Sequence, residues 1–461
     1  MLWDWSGYHV NQLETINKVY FYQGYAIAAG YGYVRGIAEP ARSHLWKLYE
    51  MVSKENKRAT MEMAGPLPQK GAIPETLHPP GMALLVSGFN ELLGMRADVP
   101  IQILGIILGT IAAALIYGLT TFVFDSYIGF TAGLLYALFP PLAWASVDKS
   151  PGGLIIVFVV ASFVCTFIGT HRDGLRSILW YSLSGLLIGL GSYLRPDFLF
   201  LPLFMVLGLW AYNRRLLQSV GFMVLAQVIA FLILLPWAYR NHSLTGRWIF
   251  TSTSVGATLI TGLGEHNNPW GFGGSDADRL SEASAQGIQS AWNSEADLYF
   301  RKLFINSIKK NPSAFFKAVV LRLPIALAAP YDWGFENHTR MQIKAADNKS
   351  NRHIDNVLRS RIKLFTVNPL EAISAYWDRL IIIVFSLCSL VSVGILLIRD
   401  RHRFGLIFFI MIPHIYAIFS HILTHIEARF ILPSMYCWII ALAYVIRRGW
   451  RYHIYEDPVS F

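Results

Sequence analysis

Residues 101–124 read IQILGIILGTIAAALIYGLTTFVF, a run without one charged side chain. Wound as an α-helix at 1.5 Å per residue, it is about 36 Å long, enough to cross the ~30 Å hydrocarbon layer of a bilayer. Hydrocarbon offers no partner to a backbone N–H or C=O, so such a run crosses as a helix that satisfies its own backbone. Comparable runs follow at 127–147, 152–170, 178–194, 198–212, 220–237, 380–398, 404–421 and 431–446. They are continuously apolar rather than alternating, which argues for helices and against barrel strands. The whole chain agrees: 461 residues, 54% hydrophobic and only 15% charged, where a soluble domain carries roughly 25% charged residues. The expected fold is an all-α polytopic membrane protein with nine or ten spans.

One further stretch, 315–331, is apolar but carries Lys317 and Arg322. Each of those costs about 2.5–3.5 kcal/mol at mid-membrane, while each Leu, Ile, Val or Phe returns only about 0.3–0.6. The sum disfavours insertion, and Pro324 weakens the helix further. We expect an interfacial or partly re-entrant helix there.

The net charge of +10 raises the question of nucleic acid. Its placement answers it, because the excess sits in short loops between spans. One side of the expected topology receives Arg172, Arg176, Arg214, Arg215, Arg399, Arg401, Arg403, Arg447, Arg448 and Arg451. The short loops of the other side hold Lys149, Arg195 and Arg429. The first side is therefore expected to be cytoplasmic. Four regions result: an extracytoplasmic segment 1–100 with interfacial helices, six spans over 101–237, an extracytoplasmic region 238–379, and three spans with a cytoplasmic tail over 380–461. Segment 1–100 has no preceding span, so the topology expects either an N-out start or a first helix upstream of Met1. Cys165, Cys388 and Cys437 all fall in apolar runs without metal-ligand spacing and are expected as buried free thiols.

The residues able to do chemistry cluster at the expected outer ends of spans. Thr76-Leu-His78-Pro-Pro-Gly81 combines two prolines that stop a helix with a glycine that permits a sharp entry into the apolar run. His78 by itself does not define a metal site. Asp148 follows Pro140-Pro141, and Arg195 stands in Leu194-Arg195-Pro196-Asp197. After the sixth span comes Pro236-Trp-Ala-Tyr-Arg240-Asn241, where Trp and Tyr suit the interface and an arginine fork suits a lipid phosphate. Thr251–Glu265 is polar and punctuated by glycine, able to offer backbone N–H groups to an anion. Glu427-Ala-Arg429 opens the last span, as an ion pair at the interface or as part of a site. No phosphate-binding loop, dinucleotide fingerprint, paired-histidine zinc helix or nucleophile elbow is present.

Taken in order, Gly30-Tyr-Gly-Tyr33, His78-Pro-Pro-Gly81, Arg195-Pro196, Pro236-Trp-Ala-Tyr-Arg-Asn241 and Glu427-Ala-Arg-Phe-Ile-Leu-Pro433 resemble the GT-C membrane glycosyltransferases. The branch is similar to protein O-mannosyltransferases, the lipid A aminoarabinose transferase and the bacterial RgtA/B/C/D-like enzymes, of glycosyltransferase family 39 type. The resemblance implies inverting transfer of a sugar from a polyprenyl-phosphate carrier to an acceptor glycan, lipid or protein. It implies work at the extracytoplasmic face of a bacterial or archaeal cell membrane. It further implies an acidic residue of the first outer loop that activates the acceptor, and basic residues that hold the departing lipid phosphate. At the position of that acid this chain has Asn17. Glu14, one helical turn earlier, is the expected substitute, and Asp148 fits the second outer acid of many members. Arg240 and Arg195 are expected on the donor phosphate. His78, Asn241, Glu265, Glu427 and Arg429 are expected around the substrate. Some relatives resemble metal-assisted enzymes, so a divalent cation stays open, with no ligand assigned. Two other classes remain in view: a transporter or flippase of lipid-linked intermediates, and a catalytically inactive scaffold of the same fold.

Overall fold

The structure is a computed structural model that describes residues 10–328, 404–425 and 428–455, with a few helical positions between 384 and 398. It is helical throughout, apart from one short ribbon. An N-terminal layer comes first: α1 (Val10–Ala28), β1 (Val34–Gly36), α2 (Ala41–Glu55), α3 (Met61–Ala64), β2 (Ala72–Pro74) and α4 (Gly81–Leu93). The bundle follows with α5 (Asp98–Val123), α6 (Ser126–Leu138), α7 (Pro140–Val147), α8 (Pro151–Thr170), α9 (Gly174–Leu194), α10 (Leu201–Asn213) and α11 (Leu216–Thr245). A small polar layer is made by α12 (Val255–Gly264), α13 (Asp276–Ala285), α14 (Ser294–Lys310) and α15 (Pro312–Ala328). The described chain ends with α16 (Phe404–Leu423), the turn α17 (Ala428–Ile431) and α18 (Tyr436–Tyr455).

Among the described residues six helices are long and apolar enough to span: α5, α8, α9, Pro196–Asn213 (which ends in α10), α11 and α16. Each coincides with an expected span. The molecule is an all-α polytopic membrane protein. The expected span 127–147 is instead broken into α6 and α7, bent by 60° at Phe139. Pro140 and Pro141 cause this. Neither has an N–H to donate, and the ring of Pro140 pushes Phe139 out of the helical region to φ −68°, ψ 113°. The apolar run before α18 opens with α17 and a single 3₁₀ turn at Leu432–Ser434. Of the expected span 380–398 only 387–395 and single positions are described, all helical, and Cys388 there is exposed rather than buried. Cys165 and Cys437 are buried and free.

Helix α11 differs most from expectation. It runs 30 residues through Pro236 to Thr245 and stops at Gly246, whose φ of 71° makes the left-handed cap. A proline inside a buried helix is tolerated when neighbours take up the freed backbone groups. Here the Tyr193 hydroxyl donates to the carbonyl of Ile233 at 2.8 Å, one turn before the proline. The continuation places Arg240 and Asn241 on a rigid helix instead of in a loop.

Helices α8, α9, α10, α11, α16 and α18 share one apolar core, with Phe163, Tyr181, Met205, Leu234, Phe409 and Tyr436 at its centre. Ser162, Thr166 and Ser184 link their hydroxyls at 2.7 and 2.9 Å where α8 meets α9, the small polar contact typical of helices packed without a hydrophobic drive. A second core joins the N-terminal layer to the bundle through Tyr25, Met82, Ile101, Leu154 and Leu194. Gly81 makes this docking close: a Cβ there would lie 2.5 Å from the Tyr193 carbonyl oxygen. The bundle thus has two unlike ends. Arg172, Arg176, Arg214 and Arg215 are exposed at one, and the N-terminal and polar layers cover the other.

Candidate active site

The covered end begins with the ribbon. Gly30 and Gly32, at φ of 83° and 80°, turn the chain out of α1 and into β1. Strands β1 and β2 pair antiparallel, Arg35 opposite Ile73, and the ladder extends by one bond from the Glu75 N–H to the Tyr33 carbonyl at 3.0 Å. At that end of the ribbon the guanidinium of Arg240 reaches in from α11. Its Nη1 donates to the Glu75 carbonyl at 2.8 Å and its Nη2 to the Tyr33 carbonyl at 3.1 Å, one bond to each strand. The same guanidinium lies 5.5 Å from the centre of the Tyr33 ring and 5.0 Å from that of Trp237. Asn241 is fully buried, accepts from Arg240 Nη1 at 3.1 Å and donates to the Ile249 carbonyl at 2.9 Å. The arginine therefore stands on a built support, not on a mobile loop.

Glu75 follows directly. Its side chain is only 1% exposed. The Leu77 N–H donates to its Oε1 at 2.5 Å, and Gln23 of α1 donates to its Oε2. Arg35 and His78 face it, with His78 Nδ1 3.8 Å from Oε2. Burial pushes the Glu75 carboxyl up, but His78, Arg35 and the Leu77 N–H outweigh it and hold the group below its ordinary value. Burial also raises the neighbouring Tyr33 phenol well above its ordinary range, so it acts as a neutral donor, to the His78 carbonyl at 3.0 Å. The sequence reading passed over Glu75 because it began one residue later, at Thr76. The signal was there: an acid set between Pro74 and Leu77, with no Lys or Arg following it until Arg96, must find its partners through the fold.

The segment 251–265 behaves otherwise than expected. From Val255 to Gly264 it is the helix α12, whose first-turn Gly256 N–H is already taken by the Asp297 carboxylate at 2.8 Å while the later N–H groups bond within the helix. Its preceding turn docks on the Glu75 segment: Thr253 N–H donates to the Thr76 carbonyl at 3.2 Å and Ser252 Oγ to that of Leu77.

A second cluster lies beyond the Gly81–Tyr193 contact. Arg195 pairs with Asp197, and its guanidinium sits 4.9 Å from the centre of the Phe430 ring. His421 stacks on the same ring at 4.5 Å, and His425 meets it at 5.9 Å. His425 also pairs with Glu265, whose other oxygen accepts from Arg322 Nε at 2.7 Å. Arg322 is fully buried and donates from Nη1 to the Ile422 carbonyl at 2.8 Å. The fold removes the obstacle that the sequence raised at Arg322, since the charge is paired instead of lipid-facing. Asp148 is buried at 6% exposure where α7 ends.

Of the expected site residues, then, His78, Arg240 and Asn241 meet around the ribbon end. Arg195 and Glu265 meet through Phe430 and His425. Glu14 lies in α1, but side chains before residue 19 are outside the described residues, as are Glu427 and the side chain of Arg429. Among the described residues no group of three or more His, Cys, Asp or Glu side chains is placed to share a metal ion.

The fold and site thus define a multi-span helical membrane protein with buried charges gathered at one end of the bundle, under layers carried by its loops. Residues 77–239 match the family model described as dolichyl-phosphate-mannose-protein mannosyltransferase, so that this part of the chain is similar to a family of membrane glycosyltransferases. The matched stretch starts just before His78 and ends one residue before Arg240. No curated protein and no solved structure matches it.

Proposed function

We propose that this protein moves a sugar from a polyprenyl-phosphate donor to a glycan, lipid or protein acceptor at the extracytoplasmic face, by inverting transfer with carboxylate-assisted removal of the acceptor proton. One observation carries the reading. Arg240, the residue expected on the donor phosphate, shares the ribbon end with a buried carboxylate, that of Glu75. Arginine has five N–H donors in a planar fork. Three are engaged with Tyr33, Glu75 and Asn241. Nε and one Nη2 hydrogen have no acceptor among the described residues, and two such N–H groups suit two oxygens of a phosphate. The bonds to the ribbon hold the fork still, so little side-chain freedom is lost when phosphate arrives.

The leaving group in this reaction is the lipid phosphate, so charge grows on its oxygens as the sugar departs. A fixed cation there lowers the barrier more than it tightens ground-state binding. Arg195 is the second proposed phosphate contact. Its pairing with Asp197 leaves it ready to exchange partners as the substrate charge arrives. Glu14 and Asp148 remain proposed as acidic groups on the acceptor side, with Glu265 behind His425 as support.

The test is release and transfer of radiolabelled sugar from a polyprenyl-phosphate sugar by the purified full chain in detergent. Turnover that is abolished in Arg240→Ala supports the reading. An active wild type with a fully active Arg240→Ala would overturn the phosphate assignment. A wild type inert toward every polyprenyl-phosphate sugar offered would favour the inactive scaffold instead.

A further inference from the structure

We infer that His78, backed by the buried carboxylate of Glu75, is the group that takes the proton from the acceptor hydroxyl. The inference rests on the transferase reading above and names the residue for one of its steps. Glu75 itself cannot reach a substrate, being 1% exposed with one oxygen held by the Leu77 N–H and the other by Gln23. His78 can, because its side chain is 27% exposed. Its two ring nitrogens face different surroundings. Nδ1 is buried, makes no hydrogen bond among the described residues, and looks toward Glu75 Oε2 at 3.8 Å. Catalytic hydrogen bonds are often long before substrate binds and tighten in the complex.

A carboxylate behind Nδ1 favours the tautomer with its hydrogen on Nδ1, which leaves the Nε2 lone pair for a proton from outside. The ring has little freedom to turn away. Pro79 and Pro80 fix the backbone after it, Tyr33 holds its carbonyl at 3.0 Å, and Tyr20 packs edge-on at a ring distance of 5.1 Å. The titratable and charged groups facing the pair are Tyr20 and Tyr22 from α1, Tyr33 and Arg35 from the ribbon, and Arg240 from α11.

The step balances without any further reactant. The acceptor oxygen forms a bond to the anomeric carbon, and the bond from that carbon to the phosphate oxygen breaks with its electron pair leaving on the lipid phosphate. The hydroxyl proton passes to Nε2 of His78. The imidazolium so formed lies beside the Glu75 carboxylate and later loses its proton to water. Glu75 is thus a positioning residue, and His78 the base.

The experiment measures transfer kinetics of the full chain in detergent for wild type, His78→Ala, His78→Gln and Glu75→Gln, with folding checked by thermal unfolding. Both His78 variants should lose about 100-fold or more in kcat while the donor KM stays within about threefold, and added imidazole should restore part of the turnover of His78→Ala. Glu75→Gln should lose less in kcat, again with the donor KM little changed. Independently of activity, ¹⁵N spectra should show His78 with its hydrogen on Nδ1 in the wild type, and a shift toward Nε2 in Glu75→Gln. If wild type turns over and His78→Ala matches it, or its defect lies only in donor KM, the inference falls and the transferase reading stands. If the wild type transfers nothing, both fall.

Discussion

Arg240 donates from Nη1 to the main-chain carbonyl of Glu75, 165 residues earlier in the chain, at 2.8 Å. This bond joins the C-terminal part of a spanning helix to a ribbon that lies outside the bundle. It gives the arginine two duties, to close the ribbon end and to present its remaining donors. Hydrogen bonds to a charged group contribute about 1.5–3 kcal/mol each. Arg240→Ala should therefore unfold several degrees lower than wild type and lose about 100-fold or more in turnover. Arg240→Lys keeps the charge but has a single nitrogen in place of the planar fork that reaches Tyr33, Glu75 and Asn241 at once, so it should resemble the alanine variant more than the wild type. Thermal unfolding and donor turnover on the same preparations check this. A lysine variant equal to wild type in both would refute the bridging role.

The Glu75 carboxyl gives a pH dependence with a definite sign. Burial opposes its ionisation, yet His78, Arg35 and the Leu77 N–H outweigh burial, so its folded value lies below the ordinary 4.5. A group depressed in the folded state stabilises the protein above its unfolded value, and that stabilisation is lost as pH falls through the folded one. The wild-type unfolding temperature should drop as pH is lowered past about 4.5. Glu75→Gln should be less stable at neutral pH and show a shallower drop below it. Parallel curves for the two proteins would show that Glu75 does not carry this dependence.

Arg322, fully buried, pairs with the partly buried Glu265, and removing Glu265 alone should strand the arginine charge. Removing one partner of such a pair leaves a buried uncompensated charge and costs about 3–5 kcal/mol. Glu265→Leu should be strongly destabilised and should loosen α15 from α16. The double variant Glu265→Leu/Arg322→Met removes both charges and should recover a large part of that loss. A double variant less stable than Glu265→Leu would contradict the pairing account.

Sidedness is tested by labelling. The proposed extracytoplasmic face carries α13, where Asp276 is exposed, and the opposite end carries the exposed Arg214. In intact cells a membrane-impermeant thiol reagent should modify Asp276→Cys and leave Arg214→Cys untouched until the membrane is opened. The reverse pattern would invert the topology.

The spans were readable from the chain because a bilayer is a simple solvent. Any run of about twenty apolar residues answers to it locally, whatever the rest of the protein does. That reasoning located α5, α8, α9, α10 and α16 within a few residues, and it located the motifs at their ends. It failed at Phe139 and Pro236, two proline sites with opposite outcomes. One breaks its helix and the other is absorbed, and the difference rests on neighbours such as Tyr193 that no local pattern contains.

What the sequence by itself determined was therefore the class, the spans and the residue types brought to one end of the bundle. The tertiary structure decided which of them meet. Glu75 entered the site because Gln23 and Arg35 converge on it from separate segments, beside Leu77 and His78 of its own. Arg322 became tolerable through Glu265 and the carbonyls of Gly262 and Ile422. A charge in a low-dielectric setting is governed by its partners within a few ångströms, and those partners are chosen by packing across tens to hundreds of residues of chain.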